Sequence, residues 1–132
     1  MNTRISFLII QNKNEKEPYI YFDKKENGEY ILPTFQMEND EYDIDSFIGK
    51  NFESITKVKP IDRNGFGWIS LFLTGTIVYD KSFSFVYICK IPDEIKINVY
   101  TPIKMSTILE NKDIDQDYMS QVINNFNSLY VR

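Results

Sequence analysis

The sequence predicts an α+β fold in a single domain spanning residues 1–132. Three observations lead there. Short runs rich in Ile, Phe and Tyr cluster before residue 33 and again over 68–100. A helical apolar period separates the two groups, and a stronger one closes the chain. Strands gathered in groups, with helices between and after them, mark the α+β class more than a strict alternation does.

Ile5-Ser6-Phe7-Leu8-Ile9-Ile10 is a nearly continuous apolar run and predicts a strand buried on both faces. The polar stretch Gln11 to Pro18 predicts a loop. Tyr19-Ile20-Tyr21-Phe22 is aromatic and β-branched and predicts a second strand, paired with the first as a long-looped hairpin. Asn27-Gly28 is a turn signal. Tyr30-Ile31-Leu32 then meets Pro33, which halts a ladder because it has no N–H.

The acidic stretch Glu38 to Asp43 precedes a helical period at Ile44, Phe47, Ile48, Phe52 and Ile55. Asp40 or Asp43 is suited to cap it, and Gly49 inside weakens it by about 1 kcal/mol. Lys57 to Pro60 forms the exit, and Asp62-Arg63-Asn64-Gly65 a turn. Trp68 to Tyr79 and Phe83 to Ile91 predict two long strands joined by a turn at Asp80-Lys81. The second is apolar on both faces at its middle, as a central strand is. Ile95 to Tyr100 alternates and predicts a further strand, followed by a helical turn or two within Pro102 to Leu109. The last helix is predicted from Asp113 as cap, with Tyr118, Met119, Val122, Ile123, Phe126, Leu129 and Tyr130 at helical spacing.

Composition narrows the chemistry. A chain of this length buries roughly two-thirds of its unfolded surface and folds without staples. It is 42% hydrophobic and 15% aromatic, which separates it from disordered chains. The lone cysteine, Cys89, forms no internal disulfide, so a reducing, cytoplasmic location is expected. The first ten residues carry no signal-peptide pattern, and no run is long enough to span a bilayer. The net charge of −4 disfavours bulk nucleic-acid binding. The chain has no histidine, which removes Ser-His-Asp and Cys-His nucleophile systems and His-ligated zinc. Carboxylates around a hard ion such as Mg²⁺ remain, a chemistry suited to phosphates.

The order of elements, with Leu32-Pro33 just before an acidic loop and a helix, resembles a Nudix domain. The resemblance implies a mixed β-sheet packed between helices and a loop-helix-loop box. That box opens after a Leu-Pro-Gly-Gly type turn and carries glutamates that hold divalent ions. Laid on Pro33 without gaps, the box glycine falls on Phe35 and the first glutamate on Glu41. The Arg-Glu pair falls on Gly49 and Lys50, the later Glu-Glu pair on Glu53 and Ser54, and the final glycine on Thr56. Glu38 stands where many members carry a glutamate in the turn. The resemblance covers most of the chain by layout, with Glu41 and Glu53 matching and Lys50 and Ser54 departing.

Glu41 and Glu53 are therefore the catalytic candidates, and Glu38, Glu41 and Glu53 the metal-ligand candidates. They lie on an acidic chain where solvated carboxylates are commonplace. Glu41 and Glu53 are also twelve residues apart, about 18 Å along one helix. They share an ion only if the loop folds back, as the resemblance implies. Lys50 places a positive charge where a cation would bind. Cys89 lacks a histidine to activate it and is expected to be a buried structural thiol. Trp68 is expected in the core, and Lys24, Lys25 and Arg63 on the surface.

The expected function is a catalytically degenerate Nudix-like domain that binds a nucleotide or a protein partner, with no resident cofactor. One alternative is a Mg²⁺-dependent hydrolase of nucleoside-diphosphate-linked substrates. Another is a small acidic inhibitor or immunity-type protein that meets a basic partner.

Overall fold

The computed structural model describes residues 3–12, 17–37, 51, 54, 71–79, 81–91 and 96–130. Seven strands form one mixed sheet: β1 (Thr3–Gln11), β2 (Tyr19–Lys24), β3 (Tyr30–Ile31), β4 (Thr34–Gln36), β5 (Leu71–Tyr79), β6 (Ser82–Ile91) and β7 (Thr101–Lys104). Two helices follow them, α1 (Met105–Ile108) and α2 (Gln116–Tyr130).

The sheet is organised around β1. Its residues run parallel to β6 from Thr3 opposite Phe83 to Gln11 opposite Ile91. Every other strand pairing among the described residues is antiparallel. β1 also pairs with β2 at Ile10–Ile20 and Gln11–Tyr19, and with β4 at Arg4–Gln36 through Ser6–Thr34. The main path runs β3-β2-β1-β6-β5, with β4 beside β1 and β7 beside β2.

The apolar run Ile5–Ile10 explains why β1 is central. Leu8 and Ile10 enter one core with Ile20, Phe22, Ile77, Val86 and Ile88. Ile5, Phe7 and Ile9 enter a second core on the opposite face with Tyr21, Cys89, Ile91 and Ile97. Successive side chains of a strand point to opposite faces, so a continuous apolar run fits only a strand buried on both. The same argument holds for β6, which lies between β1 and β5.

Helix α2 covers the first face. Tyr118, Met119 and Val122 are buried at helical spacing and join that core, as do Ile108 and Ile114. The helix starts later than Asp113. Asp115 caps it, its Oδ1 accepting from the N–H groups of Asp117 at 2.9 Å and Tyr118 at 3.1 Å. Asp113 instead offers its carbonyl to the Tyr30 N–H at 2.9 Å.

Two further expectations are corrected. Residues 96–100 form no strand. The alternation there is real, with Ile97 buried and Val99 exposed. The ladder with β2 begins only at Thr101, opposite Phe22. Alternation records which face is buried, while a strand also needs a neighbour to pair with. Second, Pro33 does not open a loop: β4 starts at once with Thr34. Among the described residues no helix is long and apolar enough to cross a membrane.

Candidate functional site

The three carboxylates singled out above, Glu38, Glu41 and Glu53, lie outside the described residues, as do Lys50, Arg63 and Trp68. The described chain reaches their threshold from two sides. On the first, β4 leads towards Glu38, and the Met37 N–H donates to the Thr3 carbonyl at 3.0 Å. Phe35 packs edge-on against Phe7 with ring centroids 5.8 Å apart. The Thr34 hydroxyl donates to the Leu32 carbonyl at 2.8 Å and lies 2.7 Å from the Ser6 hydroxyl. The Pro33 carbonyl accepts from the Phe7 N–H at 2.9 Å. The segment after Leu32-Pro33 is thus fixed to β1 by both backbone and side chains.

On the second side, Asn51 and Ser54 are helical. Both fall inside the stretch whose apolar period predicts a helix. The Ser54 hydroxyl donates to the Asn51 carbonyl at 2.8 Å. This bond back to the preceding turn is a common use of serine within a helix.

Among the described residues a polar cleft of about 320 Å³ is lined by Asn27, Glu29, Lys112, Asp113, Ile114 and Asp115. Two turns build it. In the first, Gly28 adopts φ 89°, which a side chain disfavours, and its N–H donates to the Lys25 carbonyl at 2.9 Å. The Asn27 Oδ1 accepts from the Glu29 N–H at 2.9 Å. In the second, the Asn111 Oδ1 accepts from the Asp113 N–H at 2.9 Å. The bond between Tyr30 and Asp113 brings the turns together. Nothing in the spacing of residues so far apart announces that meeting.

The cleft carries three carboxylates and one lysine, so it repels phosphates. Asp115 is committed to capping α2, and Glu29 faces Lys25 at 3.9 Å. Among the described residues no group of three or more His, Cys, Asp or Glu could hold a metal ion. The two lysines expected on the surface of this region have local partners. Lys24 sits over the Tyr30 ring at 5.5 Å and Lys25 meets Glu29. Cys89 is buried, and burial pushes its thiol well above its ordinary range. Burial, with the Asp23 charge adding to it, pushes the Tyr100 phenol up to about 12.

No known protein-family signature matches the chain, and no curated protein does. Solved structures do. A mutT/nudix family protein from Listeria innocua matches with a TM-score of 0.71 at 13% identity, covering 97% of this chain and 93% of that one. The fold is Nudix-like. A chain in the complex between the C-terminal domain of mouse MUTYH and human PCNA matches with a TM-score of 0.71 at 11% identity, over 98% and 89% of the two chains. The NUDIX domain of Shewanella oneidensis NrtR, complexed with ADP ribose, matches with a TM-score of 0.63 at 12% identity, over 96% and 86%. Identities this low establish the fold and leave the chemistry to this chain's own residues.

In the Nudix-like frame, Thr34 and Phe35 occupy the turn positions where the resemblance expects glycines. Phe35 uses its side chain to fill the second core, and Thr34 to bond Ser6 and Leu32. Ser54, which the ungapped overlay sets on the second position of the late glutamate pair, turns its hydroxyl back onto its own helix.

Proposed function

We propose that this chain is a binding module on a Nudix-like fold, acting as one domain over 1–132, and that it has lost diphosphate hydrolysis. The observation that carries the reading is Ser54. A box of this kind works by clustering carboxylates around divalent ions that neutralise charge and activate water. At Ser54 a neutral hydroxyl, already bonded to the Asn51 carbonyl, stands in place of one of them. By spacing Lys50 falls on a second and brings a positive charge with it. The donor set therefore does not fit a pair of Mg²⁺ ions. Glu38, Glu41 and Glu53 are proposed as what is left of the ligand set.

The partner is a nucleotide or a protein. The neighbour complexed with ADP ribose supports the first, since that protein's NUDIX domain holds such a ligand. The chain's acidity favours the second, because an excess of carboxylates meets a basic protein surface more readily than a phosphate. The buried thiol of Cys89 supports a reducing compartment such as the cytoplasm.

Calorimetry of the full chain with ADP-ribose, with and without Mg²⁺, tests the nucleotide arm. Release of nucleoside monophosphate from the same compound tests turnover. Binding without cleavage supports a nucleotide module, and neither binding nor cleavage directs the reading to a protein partner. Mg²⁺-dependent cleavage that Glu53→Gln abolishes overturns it.

A further inference from the structure

Among the described strands β5 lies at one end of the sheet, paired with β6 alone. Tyr79 pairs with Ser82 beside the turn, and Val78 with Phe83. In an antiparallel pair the peptide groups point alternately towards the partner and away from it. The N–H and carbonyl of Val78 point away from β6, where an added strand would bond.

Gln121 of α2 fills that position. Its Oε1 accepts from the Val78 N–H at 2.8 Å, and its Nε2 donates to the Val78 carbonyl at 2.9 Å. Two residues of an antiparallel ladder exchange the same pair of bonds. The side-chain amide thus imitates one residue of a missing strand. Next to it Val78 and Phe83, paired across the hairpin, are 49% and 43% exposed. They are an apolar footing that a second hairpin would extend.

We propose that Gln121 keeps β5 from pairing with β5 of a second copy of this chain. Two antiparallel β5 edges make a self-complementary contact, in which each copy offers the other the same surface. Removing the amide leaves the Val78 peptide group without its partner and opens that edge.

The test is light scattering across a concentration series together with amide hydrogen exchange. In the wild-type chain the Val78 amide is protected, although it faces outward. In Gln121→Ala it exchanges about tenfold faster at low concentration, the effect of one lost hydrogen bond, and mass rises to twice the wild-type value as concentration increases. Gln121→Met, which keeps the length but supplies neither the amide donor nor the amide acceptor, moves both readouts the same way and serves if the alanine variant does not fold. Adding Val78→Pro to either variant returns the mass to the wild-type value, because proline offers no outward N–H and breaks no bond to β6. Unchanged mass and exchange in both single variants overturn the proposal. So does association that persists with Val78→Pro.

Discussion

Single side chains tie distant parts of this chain together. Tyr118 is the clearest case. Its buried phenol accepts from the Leu32 N–H at 2.6 Å, joining α2 to the segment that leads into β4. Tyr118→Phe keeps the ring in the core and leaves that N–H without its acceptor. A buried donor stripped of its partner costs about 1–3 kcal/mol, so the midpoint of urea unfolding falls with little change in slope. Tyr100 gives a pH signature. Its pKa is raised from 10.0 in the ordinary state to about 12 in the folded one. The stabilisation from keeping this phenol neutral is full below pH 10.0 and is lost as pH rises towards 12. Stability measured over that window falls more steeply in the wild-type chain than in Tyr100→Phe. Neither role was legible in the sequence, where both residues are merely aromatics at apolar positions. The buried state of Cys89 was legible, because it stands in a run apolar on both faces and no histidine exists to activate it.

Elements were legible where burial and period agree. β1 and β6 follow from continuous apolar runs, and α2 from Tyr118, Met119 and Val122 at helical spacing. Boundaries were less so, because pairing and capping partners decide them. Asp113, Asp115 and Asp117 are all plausible caps by type, and only geometry selects Asp115. Asp115→Ala therefore costs about 1 kcal/mol. Asp113→Ala costs less, since that residue contributes its backbone carbonyl to Tyr30. Chemical denaturation of the two variants side by side checks the order. β4 was missed because Pro33 normally stops a ladder. Here the next strand begins with Thr34 on a different neighbour, so the proline marks a change of partner from β2 to β1. The run Ile95 to Tyr100 was over-read, because its alternation reports burial of Ile97 and not pairing.

For the whole molecule, layout carried further than identity. The order of strands, acidic loop, helix, long strands and closing helix pointed to a Nudix-like fold, and solved structures at 13% identity or below share it across nearly the whole chain. A fold survives such divergence because it needs only buried residues of the right size on the right face. A catalytic box asks for more, because each ligand must be a particular chemical group at a particular place. Glu38, Glu41 and Glu53 were visible by spacing, yet spacing says only which positions match. Ser54 is where the structure adds chemistry: the hydroxyl bonds its own helix. The most direct test of lost hydrolysis is a product-release assay on a panel of nucleoside-diphosphate-linked compounds with Mg²⁺ and with Mn²⁺. The wild-type chain is predicted to release no more product than the Glu53→Gln variant. Metal-dependent turnover in the wild type that disappears in the variant would contradict the account.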